Sequence, residues 1–204
     1  MAVSYLMDAF GEGLWSLELP VLREAGADKV RLMLAMGAKR INSPLTSSLG
    51  RLFDGVAAIA GLRTRVTFEG QAAMELEMAA ADETESFYEY AWEEGSPCRI
   101  LPAPIIRGVV GDIGKGLSVS TISATFHNTL IRMFRDLCER VRRQRGLNRV
   151  VLSGGVFQNA RLLTGLIPAL AARGFEVYSH RLVPANDGGI ALGQAVIAAQ
   201  SARS

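Results

Sequence analysis

The stretch Val150-Val151-Leu152-Ser153-Gly154-Gly155-Val156-Phe157-Gln158-Asn159 decides the fold. Its branched and bulky apolar residues suit a buried β-strand, its two glycines break that strand, and its asparagine stands where a helix can begin. The chain repeats the pattern. Arg149 to Leu152 reads as a strand, Asn159 to Arg173 as a helix ended by Gly174, Phe175 to Tyr178 as a second strand, and Gly188 to Ala199 as a second helix. That order predicts a βαβα unit over 147–199, with two parallel strands joined by a right-handed crossover. Open α/β sheets bind ligands beyond the carboxyl ends of their strands, so bare backbone at Gly154 and Gly155 suits the approach of a phosphate or nucleotide. The glycine spacing fits neither a dinucleotide fingerprint nor a P-loop, and a plain tight turn explains the pair equally well.

The second strand ends in a similar loop, Pro184-Ala185-Asn186-Asp187-Gly188-Gly189. Asp187 is either the N-cap of the following helix or an accessible hard oxygen for a metal or a metal-bound phosphate. Upstream, Thr46-Ser47-Ser48 supplies capping hydroxyls for a helix from Leu49 to Ala60, stopped by Gly61. On it Asp54 lies among Val56, Ala57, Ile59 and Ala60, and needs either Arg51 or a cleft edge, where ribose hydroxyls would serve. The opening part, 1–62, also carries helices at Met1 to Phe10, Pro20 to Ala25, and Lys29 to Met36 after a capping Asp28, the last apolar enough to be packed on two sides. In the middle part, 63–146, Thr64 to Phe68 is β-prone, Gln71 to Ala81 helical, Cys98 to Leu101 a strand, and Ile105 to Ile113 helical. Ser120 then caps the longest helix, along which Ile122, Phe126, Leu130, Met133, Leu137 and Val141 recur at steps of three and four. His127 borders that stripe and is read as a packing residue.

Composition narrows the classes. With 204 residues, 49% hydrophobic and 21% charged, the chain can bury an ordinary core, which excludes intrinsic disorder. A net charge of +2 supplies no general field toward nucleic acid or an acidic membrane. The mean hydropathy is +0.20, yet the charge-free runs Gly116 to Ile131 and Gly188 to Ala202 are too short to span a bilayer. Asp8 and Glu12 precede the first basic residue, Arg23, the wrong charge order for a secretory signal, and two cysteines make no disulfide framework; a cytoplasmic setting is expected. The acidic run Glu69, Glu75, Glu77, Asp82, Glu83, Glu85, Glu89, Glu93 and Glu94 is read as a solvated face, and so, in preference to a nucleic-acid patch, is the basic end Arg132, Arg135, Arg140, Arg142, Arg143 and Arg145 of the longest helix. Only two histidines, His127 and His180, are present, so this chain alone offers no complete metal cage, and no nucleophile stands beside a base. The catalytic residue is unassigned.

The run from Val151 to Asn159, the run Asn186-Asp187-Gly188-Gly189-Ile190-Ala191-Leu192-Gly193-Gln194-Ala195, the Gly50-Arg51-Leu52-Phe53-Asp54 helix and the Glu69-Gly70-Gln71-Ala72-Ala73 turn occur together. In that combination the chain resembles, from Met1 to about Ala199, the carboxy-terminal part of the HypF family, the carbamoyltransferases of nickel-iron hydrogenase maturation. The resemblance implies an α/β, helix-rich fold: the carboxy-terminal portion of an actin, sugar-kinase and heat-shock-ATPase-like domain with a small, mostly parallel sheet. It implies a chemistry in which ATP and carbamoyl phosphate give carbamoyl-adenylate, which carbamoylates the terminal cysteine of an acceptor maturation protein. By position, Gly154 and Gly155 would admit the nucleotide, Asn159 and Asp54 would contact its adenosine, Glu69 and Gly70 would border the same pocket, and Asp187 would be one ligand of a divalent metal. The family's metal-binding histidines and upstream modules have no counterpart here, so 204 residues read as a single-domain fragment, inactive alone, with apolar faces open to the missing modules or to self-association. An O-carbamoyltransferase of natural-product type and a non-catalytic docking or dimerisation module are the alternatives; nucleic acid and membrane are not expected partners.

Overall fold

The computed structural model describes residues 1–81 and 84–202, so Asp82 and Glu83 of the acidic run lie outside the described residues. The chain divides into two compact units, Met1–Thr129 and Leu130–Ser204. The first holds helices α1 (Ala2–Phe10), α2 (Pro20–Ala25), α3 (Ala27–Ala38), α4 (Leu49–Ile59), α5 (Gln71–Met78) and α6 (Ala103–Gly114), strands β1 (Ala91–Glu93) and β2 (Arg99–Leu101), and the opening turns of α7 (Val119–Arg145). The second holds the rest of α7, then β3 (Arg149–Leu152), α8 (Ala160–Ala171), β4 (Glu176–Ser179) and α9 (Ile190–Ser201).

Local chemistry accounts for the boundaries of α4, on which the first unit turns. Ser48 caps it, its Oγ accepting the Arg51 amide at 3.3 Å. The helix packs against α1, α5 and α6 and buries Leu52, Phe53, Val56, Ala57 and Ile59. Phe53 and Phe126 meet edge to face with centroids 5.0 Å apart, and His127, fully buried, stacks edgewise on Phe53 at 5.3 Å. His127 Nδ1 lies 2.8 Å from the Ser123 carbonyl, the satisfied packing histidine expected from the sequence. Each large side chain fully buried in this way contributes about 1.5–3 kcal/mol of transfer free energy.

Around Ile122–Leu130, helix α7 is buried on almost every side and not along one stripe. Ser, Thr and His make that possible by satisfying their own polar atoms: Ser123 Oγ donates to the Leu76 carbonyl, Thr129 Oγ1 donates to the Thr125 carbonyl at 2.6 Å, and Thr129 Oγ1 accepts the Tyr88 amide at 2.8 Å. The stripe fades at Val141, which is 38% exposed.

Three expectations are corrected and one element is added. Ser118, not Ser120, caps α7, because its Oγ accepts the Thr121 amide at 3.1 Å. Thr64–Phe68 forms no strand; its backbone is tied to Gln71 instead. Helix α3 is not packed on two sides: it buries only Val30 and leaves Leu32 and Met33 exposed. A strand unseen in the sequence, β1, pairs antiparallel with β2, matching Trp92 with Ile100.

In the second unit β3 and β4 are parallel, in the register Arg149 to Glu176 through Leu152 to Ser179. Leu152, Leu166, Leu170 and Phe175 form its core, covered by Ile131, Phe134 and Cys138 of α7. Burial raises the Cys138 thiol above its ordinary range, which keeps it protonated and inert. Arg142, read as part of a solvated face, has a packing role: its guanidinium lies 4.1 Å from the Phe175 ring centroid and donates to the Arg173 carbonyl at 2.8 Å. The βαβα order therefore stands as read, as does the helix-rich α/β class.

Candidate functional site

The two glycine loops of the second unit meet. Leu152 and Ser179 are the last paired residues of β3 and β4; one residue on, Ser153 Oγ lies 2.8 Å from His180 Nε2. The Gly154 amide donates to the Ala185 carbonyl at 2.9 Å, and Gly155 packs beside Asn186. Gly154 has φ +108°, a backbone setting that L-residues rarely adopt, and it turns the chain from the strand into a 3₁₀ turn, Gly155–Gln158. Asn159 closes that turn with its amide and caps α8, its Oδ1 accepting the Leu162 amide at 2.7 Å while the residue is buried. On the opposite loop Asn186 starts the 3₁₀ turn Asp187–Gly189, its Oδ1 accepting the Gly188 amide at 3.1 Å, while α9 begins after Gly189 with no side-chain cap, so Asp187 is not its N-cap. Asp187 stays exposed at the start of the turn Asp187–Gly189.

The first unit contains the other locus. A cavity of about 350 Å³ is lined by Lys29, Arg51, Asp54, Arg63, Arg65 and Ala72 among others. Both alternatives raised for Asp54 coincide, since Arg51 Nη1 is 3.2 Å from Asp54 Oδ2 while the carboxylate, 27% exposed, faces the cavity. Such a pair leaves one carboxylate oxygen for a ligand hydroxyl. Burial, and secondarily the Asp54 charge, raises the Tyr5 phenol above its ordinary pKa. Gly55 allows this closeness, because a β-carbon there would stand 2.6 Å from the Tyr5 ring.

Glu69 and Gly70 lie in the exposed turn before α5, where Gly70 adopts φ +78° and its carbonyl accepts the Met74 amide at 2.9 Å. They do not line the cavity beside Asp54. What holds their loop is a network that the sequence alone did not reveal. Gln71 Oε1 accepts the Thr67 amide at 2.8 Å, Gln71 Nε2 donates to Glu75 Oε1 at 3.0 Å, and Arg63 reaches both Glu75 oxygens at 2.7 Å. The Arg63 guanidinium and the Gln71 amide hold the Glu75 carboxyl below its usual range. Glu75 is thereby a structural residue and not part of a solvated acidic face; the signal for it was the one-turn spacing of Gln71 and Glu75. His180 was also missed, since nothing in its local sequence predicts a partner 27 residues away.

Asp187 offers one hard oxygen, and among the described residues no group of three or more His, Cys, Asp and Glu side chains is close enough together to hold a metal. The residues present do not make a metal centre by themselves. Among the described residues no helix is long and apolar enough to cross a membrane.

Comparison with known proteins gives one family. The family model described as "Carbamoyltransferase, Kae1-like Domain, second subdomain" matches residues 1–194. Carbamoyltransferase HypF of Rhizobium leguminosarum bv. viciae is 38% identical over 190 residues, which cover 86% of this chain and 22% of that protein. The probable carbamoyltransferase HypF of Methanocaldococcus jannaschii is 24% identical over 197 residues, covering 96% of this chain and 25% of that protein. Among solved structures, full-length HypF in its phosphate- and nucleotide-bound form superposes with a TM-score of 0.92 at 43% identity, covering 100% of this chain and 26% of that one. The chain spans about a fifth of the length of the first curated relatives it matches.

Proposed function

Because this chain belongs to the HypF carbamoyltransferase family, we propose that it supplies nucleotide-binding elements to a protein that carbamoylates the carboxy-terminal cysteine of an acceptor in nickel-iron hydrogenase maturation. The observation carrying this reading is its likeness, at TM-score 0.92 and 43% identity, to a HypF structure described as phosphate- and nucleotide-bound. In this reading ATP and carbamoyl phosphate are first converted to carbamoyl-adenylate by modules outside this chain. Gly154 and Gly155 present backbone without side chains to the nucleotide, and Asp54 accepts a hydrogen bond from a ribose hydroxyl. Asn159, where α8 begins after the glycine loop, lies beside the nucleotide, and the Glu69-Gly70 turn, which does not line the cavity beside Asp54, is given no role. Asp187 contributes one oxygen ligand to a divalent metal whose other ligands come from elsewhere in the protein, and such a metal neutralises phosphate charge when bound.

The transfer itself balances simply. The acceptor thiolate sulfur bonds to the carbamoyl carbon, the bond from that carbon to the phosphate oxygen breaks, and AMP leaves with the electron pair. A thiol is acidic enough to react as its thiolate without a dedicated base, consistent with the lack of an evident one here. Turnover belongs to the full-length protein; this chain binds and orients.

Isothermal calorimetry with ATP, or with a non-hydrolysable carbamoyl-adenylate analogue, tests the reading. The chain is expected to take up one or both, and Asp54→Ala to weaken uptake at least tenfold while the far-ultraviolet dichroism stays unchanged. Failure of the unsubstituted chain to bind either ligand would overturn the nucleotide reading and leave a docking module, which the helix α9, having no buried residue, then favours.

A further inference from the structure

We infer that Ser153 and His180 form a fastener that sets the spacing between the Gly154-Gly155 loop and the loop carrying Asp187, which makes His180 a positioning residue. The spacing of the loops stands on geometry alone; its bearing on a ligand rests on the nucleotide reading above. The sheet ladder ends at Leu152 and Ser179, so backbone pairing no longer holds the strands together beyond that point. Ser153 and His180 are the next residues in register, and their side chains continue the connection at 2.8 Å.

Nothing apolar anchors the segment beyond β4. From His180 to Ile190 no residue is buried, and Leu182 is 99% exposed. The Ser153–His180 hydrogen bond ties one end of this segment across to the glycine loop, and the bond from the Gly154 amide to the Ala185 carbonyl ties it at its middle. A loop without buried side chains takes its position from such bonds, so loosening the first should loosen the second. Either tautomer serves: Nε2–H donates to Oγ and leaves the serine proton to point elsewhere, or the hydroxyl donates to Nε2. Glutamine at 180 places an amide near the position of Nε2 and can play both parts.

Amide hydrogen exchange of the unliganded chain reads the fastener directly. His180→Ala and Ser153→Ala are each expected to speed exchange of the Gly154 amide about three- to tenfold, a hydrogen bond's typical share. His180→Gln should return it toward the original rate, and the double variant should exchange no faster than either single one. Unchanged Gly154 exchange in both single variants would overturn the inference. So would an equal rise at Ala172 and Gly174, whose amides close the end of α8, because that would mean general loosening of the unit. ATP titration of the same variants separates the two readings. Failure of the unsubstituted chain to bind ATP sinks the nucleotide role and leaves the exchange result to decide the fastener. ATP binding that is normal in His180→Ala despite faster Gly154 exchange limits His180 to the loop and overturns its role toward the ligand.

Discussion

At Gly108, the middle of helix α6, a β-carbon would stand 2.4 Å from Cδ1 of the Tyr88 ring and 2.8 Å from its Cγ. The ring is 6% exposed and cannot swing aside as the end of a flexible chain would. Gly108→Ala would gain helix propensity, about 1 kcal/mol in an exposed helix, but must displace a packed aromatic, which costs roughly 1–3 kcal/mol. Overpacking wins, and urea unfolding should show a lower midpoint for the variant with an unchanged slope. A midpoint equal to or above that of the unsubstituted chain would show that the Tyr88 ring yields. The same residue carries a buried hydroxyl, and burial together with Asp112 raises its phenol far above the ordinary range, so it stays neutral at any pH the protein meets.

Among elements, α5 depends most openly on charge. The Glu75 carboxyl is held below its usual value by the Arg63 and Gln71 hydrogen bonds. A folded-state value below the unfolded one contributes stability that is present above the unfolded carboxylate range, near pH 4.5, and is lost as pH falls through the folded value. Glu75→Gln should therefore flatten the acid limb of a stability-against-pH curve below about pH 4.5 and leave its slope near neutrality unchanged. An acid limb of unaltered steepness would mean the pair is too solvated to matter.

Elements also differ in how legible they were. Those fixed by local chemistry read directly: Ser48 before α4, Asn159 before α8, Gly174 after it, and the parallel pair implied by strand, helix, strand. Misreadings came where a distant partner decides. Thr64–Phe68 is β-prone, yet Gln71 claims the Thr67 amide and hydroxyl. Helix α3 is apolar, but only Val30 finds a core. Asp54 sits on a helix and Gly154, Gly155 and Asp187 sit in turns as their motifs read, whereas the bonds around them, from His180 to Ser153 and from Arg63 to Glu75, span 27 and 12 residues and leave no local trace.

On the scale of the whole molecule, apolar surface is distributed unevenly. Helix α9 buries no residue, and Ile190, Leu192, Val196 and Ile197 are each more than half exposed; Val151 on β3 is 69% exposed. A helix apolar on all sides is stable in water only when covered. In isolation the chain should associate with itself, and light scattering should give a mass that climbs with concentration and falls when Val196 and Ile197 are both changed to glutamate. A constant monomer mass at high concentration would count against this.

Gly154, two residues beyond the end of β3, has φ +108° and ψ 156°, and nothing lies within 4 Å of the place a β-carbon would occupy. Size therefore does not reserve the position for glycine. A methyl group has room there, and only its handedness is refused, since this backbone setting lies near the mirror image of ordinary extended chain. An L-alanine there would strain the turn without touching any neighbour, so that backbone stereochemistry, and not packing, guards the loop.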